Sequence, residues 1–323
     1  MTSILCVALN PSIDLSNETD HVVPTKKVRI RNQRQNIGGG GVNVARVLAE
    51  LGERPDLLVM AGGATGAVFL DAVGQMPVNL HCIPVEGAIR VAFMVKEMEG
   101  GHEYRFVPEG PVVTAEEYAQ ALRFLENATA DYVIVSGSLP RGLPSNSYAH
   151  IARLCTGRKT RFILDASGDA LMEALKVGGL FMIKPSLDEL EGIVGHELDE
   201  TGAIAASREL IREGAVEHVC ISMAREGALL VSAGGTVKVP SFQVPVGSTV
   251  GAGDSFVGGM VWALTQDYPL EDAFRFGVAA GAATVMSQGT ELCKREDVFE
   301  LYERGEGAFL AGNANSGPIL TPR

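Results

Sequence analysis

Positive charge is scarce in this sequence: 27 Lys and Arg stand against 39 Asp and Glu, a formal net charge of −12 over 323 residues. That balance argues against general nucleic-acid binding, which rests on cations meeting phosphates. Cysteine is sparse too. Cys6, Cys82, Cys155, Cys220 and Cys293 are scattered, with no C-x-x-C pair, and most lie in apolar surroundings. They read as reduced core thiols of a cytoplasmic protein, which argues against a zinc site. No apolar run reaches the length of a membrane span. The opening residues, Met1-Thr2-Ser3-Ile4-Leu5-Cys6-Val7, lack a basic segment and run directly into a strand, so no signal peptide is expected. There is no Gly-Lys pair, which excludes a Walker A loop, and no internal repeat.

What the sequence does have is two glycine-rich turns that each open a helix. After Ser248-Thr249-Val250-Gly251-Ala252-Gly253-Asp254, the residues Phe256, Val257, Met260, Val261 and Leu264 recur at three-to-four spacing, which predicts a helix with one buried stripe. Small residues let the turn aim successive N–H groups one way, and the helix N-terminus adds partial positive charge, which makes an anion site. Asp254 falls in the first turn. It is either a helix cap, worth about 0.5–2 kcal/mol, or a general base that takes a hydroxyl proton while backbone amides hold charge on a phosphate. The adjacent glycines favour the base, since a plain cap does not need them.

The second turn is Gly38-Gly39-Gly40-Gly41-Val42-Asn43, whose helix stops at Gly52. Bare backbone admits a ligand closely, and Asn43 offers both a donor and an acceptor to hydroxyls. A dinucleotide fingerprint is excluded, because Asn43 stands where its third glycine belongs and the preceding Arg34-Gln35-Asn36-Ile37 is no apolar strand.

Elsewhere short apolar strands alternate with helical patterns, which predicts an α/β fold with a parallel, doubly covered sheet. Strands are expected at 4–9, 57–61, 132–135, 161–165, 180–184, 218–223 and 228–232. Ligands gather at the carboxyl ends of such strands, and those ends carry Asp14, Ser138, Asp165, Lys184 and Ser222. Asp14 is read as lying just past the first strand, as a ligand contact or a plain turn residue. Residues 15–37 are polar, weakly alternating and hold a basic run (Lys26, Lys27, Arg29, Arg31, Arg34), either a projecting strand or a solvated face. Segments 90–96 and 104–107 form a hairpin. Arg90 and Arg105 lie on its two arms, either as surface residues or as a bidentate phosphate clamp. A Gly- and Ala-rich helix at 270–287 either packs closely, the simpler reading, or leaves room for a flat ring. The last helix is placed at 295–304 and a loosely held tail at 305–323.

With both turns in hand, the chain resembles the ribokinase-like, or pfkB, family of sugar kinases over about residues 3–304. The resemblance is carried by Gly38 to Asn43, Ser136-Gly137-Ser138-Leu139-Pro140, Lys184-Pro185 and Thr249 to Asp254, in family order. Within the family it is similar to the branch acting on phosphorylated ketohexoses. It implies one kinase domain, 1–304, as a three-layer α/β/α sandwich with a mostly parallel central sheet. A small β-sheet lid would come from about 15–37 and 88–107 and pair with a second subunit in a homodimer. The implied activity is ATP-dependent phosphorylation of a ketohexose phosphate, fructose 6-phosphate first. Fructose 1-phosphate, tagatose 6-phosphate or a non-catalytic sugar-phosphate sensor are the alternatives.

Roles follow by the same resemblance. Asp254 would be the base, and Gly251, Ala252 and Gly253 the anion hole. Asp14, Gly39 and Asn43 would hold sugar hydroxyls, and Lys27, Arg90 and Arg105, with Ser138 nearby, the sugar phosphate. Lys184, Ser186, Ser222 and Gly227 would meet the nucleotide, and Val278 and Ala282 its adenine side. Glu189 would organise Mg²⁺ through water. A monovalent-cation loop of Ser248, Val250, Thr284, Ser287, Gly289 and Glu291 leaves K⁺ open. Nucleic acid and membrane are not expected as partners. The pattern departs from the family's at Ser186, where its N-x-x-E motif has asparagine, at Ala224, where glycine is common, and at Ser287 and Glu291.

Overall fold

Alternation along single strands sets the layers. In the computed structural model, which describes residues 2–310, β1 (Ile4–Ala8) turns Ile4, Cys6 and Ala8 to one apolar cluster and Leu5 and Val7 to another. A strand buried on both faces must be apolar at every position, and this one is. The chain then passes through Asn10-Pro11 into β2 (Ser12–Thr19) and β3 (Arg31–Gly38), followed by α1 (Gly40–Glu50), β4 (Asp56–Gly62), α2 (Gly63–Val73) and β5 (Asn79–Val85). Next come β6 (Arg90–Glu97), β7 (Glu103–Phe106), α3 (Ala115–Asn127), β8 (Tyr132–Ser136), α4 (Ser147–Thr156), β9 (Arg161–Asp165), α5 (Gly168–Leu175) and β10 (Leu180–Ile183). The remainder is α6 (Leu187–Val194), α7 (Glu200–Arg212), β11 (Val216–Ser222), β12 (Ala228–Ser232), β13 (Gly235–Val239), α8 (Ala252–Thr265), α9 (Leu270–Met286) and α10 (Arg295–Leu310).

Nine strands form the central sheet in the order β13-β12-β11-β10-β9-β8-β1-β4-β5. All neighbours are parallel except at β12, which runs antiparallel to β11 and β13. Residues of α1, α2, α8, α9 and α10 pack on one face and residues of α3 to α7 on the other. This is the expected three-layer α/β/α sandwich. From β1 the chain moves outward to β4 and β5, then returns to the opposite side at β8. The order therefore reverses between β1 and β8, and a crevice opens there at the carboxyl ends. A second sheet, β3-β2-β6-β7, stands beside that edge; β2 and β6 are parallel and the outer pairs antiparallel.

Some expectations need correction. Asp14 lies inside β2 of the small sheet, not just beyond β1. Lys26, Lys27 and Arg29 fall in the loop before β3, leaving Arg31 and Arg34 on that strand. β5 and β13 were not anticipated from the sequence. They are the two outermost strands of the central sheet, where half-exposure relaxes the apolar run and Pro84 is tolerated. The last helix runs on to Leu310, so residues 305–310 of the expected tail are helical; residues 311–323 lie outside the described residues.

The Gly- and Ala-rich helix does pack closely. A Cβ at Gly259 would sit 2.6 Å from Ala280 Cβ, and one at Gly277 2.9 Å from the Phe256 carbonyl oxygen. So α8 and α9 approach nearly backbone to backbone. At the turn after β11, Ala224 adopts φ 47°, the left-handed region that costs a residue with a Cβ. Ala224→Gly should therefore raise unfolding stability by up to about 1 kcal/mol, the strain relieved exceeding the flexibility added to the unfolded chain. Urea denaturation followed by the fluorescence of Trp262 checks this, with a higher midpoint expected.

Candidate functional site

The Gly38–Gly41 turn lies across the β1/β8 crevice because side chains there would collide. A Cβ at Gly40 would overlap Ser136 Oγ, and one at Gly41 the Val7 carbonyl. Gly39 has φ 98° and its Cβ would stand 2.9 Å from Pro11 Cα. With the turn held down, α1 starts directly over the strand ends. Asn43, buried in its first turn, then reaches the N-terminus of α8, where Asn43 Nδ2 donates to Asp254 Oδ2 at 2.9 Å. Gly258 of α8 in turn leaves room for Val47 of α1.

Asp254 is at the third position of α8, after Gly251 at φ 77°. Its other oxygen, Oδ1, accepts from Ser136 Oγ at 3.1 Å. Loss of water and the neighbouring Asp165 carboxylate push the Asp254 pKa up to about 7, against the opposing pull of Asn43, Lys184 and Ser136. A carboxylate poised near neutrality and aimed into a crevice has the properties of a general base. Lys184, at the exit of β10, pairs with Asp165 Oδ1 at 3.2 Å, and a Cβ on Gly253 would lie 3.1 Å from Lys184 Nζ. Its ammonium thus sits against the glycine turn. Burial works against that charge, but Asp165, Asp254 and Glu189 outweigh it and hold the Lys184 pKa above its usual value.

Glu189 and Ser186 form a capping box on α6: Glu189 Oε2 accepts from Ser186 N at 2.8 Å, and Ser186 Oγ accepts from Glu189 N at 3.2 Å. Serine is among the best residues for that position, so the departure from asparagine keeps a well-formed helix start. Ser222 N donates to the Pro185 carbonyl at 3.0 Å, which places Ser222 beside Ser186. Gly227, at φ 97°, closes the turn after β11, where a side chain would strike the Val239 carbonyl. Val278 and Ala282 are half-buried one turn apart on α9, next to Gly281, whose Cβ would sit 3.1 Å from the Ala252 carbonyl oxygen.

The small sheet contributes the other wall. Asp14 Oδ1 accepts from Ser12 Oγ at 2.6 Å. Burial raises the Asp14 pKa, opposed by Ser12, Arg46 and Arg90. Arg90 donates to the Asn10 carbonyl at 3.0 Å and the Pro108 carbonyl at 3.2 Å. Arg105 instead pairs with Glu103 and donates to Thr249 Oγ1 at 2.9 Å. The two arginines therefore engage different segments and do not form a ready clamp. Ser138, exposed, accepts from Asn10 Nδ2 at 3.1 Å. Lys27 is exposed in the loop before β3, outside this cluster.

In the 284–291 region the side chains are already engaged. Thr284 Oγ1 donates to Ser255 Oγ at 2.6 Å, Ser287 Oγ donates to the Leu292 carbonyl at 3.0 Å, and Glu291 accepts from Arg34 Nη1 at 2.8 Å. Ser248 Oγ accepts from Val250 N at 3.3 Å, and Gly289 packs against Ser16. Any cation held here would meet backbone carbonyls. Sequence reasoning gave no role to Ser136 or Arg46 and left Asp165 simply on the rim. The signal for Arg46 was its place three residues after Asn43, one turn along the same helix face.

A model of the pfkB family carbohydrate kinases matches residues 1–297. The ATP-dependent 6-phosphofructokinase isozyme 2 of Mycobacterium tuberculosis is 37% identical over 303 residues, 93% of this chain and 89% of the relative. The 1-phosphofructokinase of Bacillus subtilis is 33% identical over 295 residues, 89% of this chain and 95% of the relative. The structure of Escherichia coli phosphofructokinase-2 in complex with potassium superposes with a TM-score of 0.90 at 33% identity, covering 95% of this chain and all of that one. The three-layer fold agrees with the comparisons, and the chain belongs to the pfkB family of carbohydrate kinases.

Proposed function

We propose that the protein phosphorylates fructose 6-phosphate with ATP, giving fructose 1,6-bisphosphate and ADP. The observation that carries this reading is Asp254, poised near neutrality at a glycine-opened helix N-terminus between Asn43 and Lys184. The 6-phosphofructokinase relative supports the substrate.

Phosphoryl transfer asks for positioning and charge neutralisation more than covalent chemistry. The sugar would lie in the crevice with Asp14, Gly39 and Asn43 on its hydroxyls. Arg90, Ser138 and, on closure, Arg105 and Lys27 would hold its phosphate. The sugar's 1-hydroxyl oxygen attacks the γ-phosphorus, its proton passes to Asp254, and ADP departs. Amides of Gly251, Ala252 and Gly253, with Lys184, face the charge that develops. Ser186, Ser222 and Gly227 would line the nucleotide, and Val278 and Ala282 its base.

No cluster of three or more metal-ligating side chains occurs among the described residues, so a divalent ion here would be carried mainly by the nucleotide phosphates and water. Bound Mg²⁺ would neutralise phosphate charge, with Glu189 orienting its water. For a monovalent cation such as K⁺, the carbonyls around Ser248, Val250, Thr284, Ser287, Gly289 and Glu291 are the available donors.

Residues 1–304 act as one catalytic unit in this reading. The row Leu15, Phe93, Phe106 across β2, β6 and β7, with Phe106 60% exposed, supports pairing of the small sheet with a second copy as a homodimer. A cytoplasmic location accords with the scattered cysteines, and no helix among the described residues is long and apolar enough to cross a membrane. The engagement of Arg105 and Arg90 with different segments, together with the 1-phosphofructokinase relative, makes a ketose 1-phosphate the second reading.

The test is MgATP-dependent ADP release with fructose 6-phosphate, fructose 1-phosphate, tagatose 6-phosphate, fructose and ribose. The highest kcat/KM is expected with fructose 6-phosphate; no release with any of them would leave a sugar-phosphate sensor. Asp254→Asn should lower kcat by about 10²–10⁴-fold, the range for a positioned base.

Since the base works deprotonated, kcat/KM should fall as the pH drops below about 7. The same raised pKa has a stability cost. Between about pH 4 and 7 the folded chain binds this proton more tightly than the unfolded chain, so stability falls as pH rises through that window. Asp254→Asn should accordingly melt higher than the wild type at pH 8, by a margin that shrinks toward pH 4, as read by calorimetry.

A further inference from the structure

An asparagine side chain ends in an amide donor on one side and a carbonyl acceptor on the other, with nearly the same shape. Beside a carboxylate base the difference matters. With Nδ2 toward Asp254 the amide supports the ionised form. Turned over, Oδ1 would face Asp254 Oδ2 lone pair to lone pair unless the acid kept its proton.

Something must therefore select the orientation of Asn43, and the structure shows what does. Arg46 Nη1 donates to Asn43 Oδ1 at 3.1 Å, while Asn43 Nδ2 donates to Asp254 Oδ2 at 2.9 Å. A guanidinium has donors and no acceptor, so it can pair with the carbonyl end alone. The guanidinium is itself anchored, since Nη1 also donates to the Ile37 carbonyl at 3.0 Å, just before the Gly38–Gly41 turn. Burial disfavours its charge, and Asp14, Asp254 and Glu291 act through space to keep it.

We propose that Arg46 is a positioning residue for the phosphoryl-transfer base: it locks the Asn43 amide in the orientation that donates to Asp254 and so keeps that carboxylate aimed and ionised. The proposal rests on reading Asp254 as the base of a kinase. The charged groups around Asp254 are Asp165 at the end of β9, which favours its proton, and Lys184 at the end of β10 and Arg46 on α1, which oppose it; Asp14 on β2 faces Arg46.

The test compares Arg46→Met and Arg46→Lys, each alone and with Asn43→Ala. Arg46→Met should lower kcat by up to about 10²-fold with KM for ATP little changed and the acid limb of the pH profile moved upward. Arg46→Lys should retain most of the activity. In the Asn43→Ala background, Arg46→Met should have little further effect, because the two act as one unit. An equal loss with and without Asn43, or an acid limb left in place, would overturn the proposal. A second readout needs no substrate: the infrared carboxyl band that disappears in Asp254→Asn should titrate at higher pH in Arg46→Met. An unmoved midpoint overturns the proposal, whereas a moved midpoint in a protein that turns over none of the sugars supports it and sinks only the kinase reading.

Discussion

The Asp165 carboxylate stands close enough to Asp254 to raise the cost of ionising it, and one ammonium, Lys184, stands against both the Asp165 carboxylate and the glycine turn. Such a group of buried charges persists when each member is paired or hydrogen-bonded. Here Lys184 pairs with Asp165, and Ser136 and Asn43 donate to Asp254. The balance leaves Asp254 neither firmly ionised nor firmly neutral, which is the state a base near neutral pH requires. Lys184, with its pKa held up by the same carboxylates, stays charged where an incoming phosphate would need it.

That charge balance depends on backbone geometry. It requires α1 and α8 to bring their N-termini to one point above the β1/β8 reversal. Gly40 and Gly41 let α1 settle on the strand ends, Gly258 lets α8 close on α1, and Gly277 and Gly259 let α9 close on α8. Each contact trades a side chain for proximity. Interiors are packed too tightly to absorb an extra methyl at such points without displacement, so the helix ends, and with them Asn43 and Asp254, are fixed within narrow limits. The small sheet adds a more polar connection: Arg105 to Thr249, Arg34 to Glu291 and Asn36 to Thr290 tie it to the loops around the anion site.

The parallel sheet and its helices were legible because central strands such as β1 and β8 are apolar throughout and because turns such as Gly38–Gly41 announce helix starts. The edges were less so: β5 and β13 carry mixed sequences because one side has no partner strand. Asp254, Asn43 and Lys184 could be picked out from the company of glycines and strand ends. The hydrogen bonds that tune them could not. Ser136 closes a strand and Arg46 follows Asn43 by one turn, and neither pattern reveals which donor faces which oxygen. The Arg90–Arg105 pair shows the same limit, since shared membership of a hairpin did not reveal that Arg90 donates to the Asn10 and Pro108 carbonyls while Arg105 donates to Thr249.

The central claim is that Asp254 meets the reacting hydroxyl. A structure of the full chain with fructose 6-phosphate and a non-hydrolysable ATP analogue measures this directly. The account predicts the sugar's 1-hydroxyl oxygen within about 2.6–3.2 Å of an Asp254 carboxyl oxygen, with the γ-phosphate against Gly251 to Gly253 and Lys184. A sugar bound with its phosphate toward Asp254, or with that hydroxyl against another carboxylate, would contradict it.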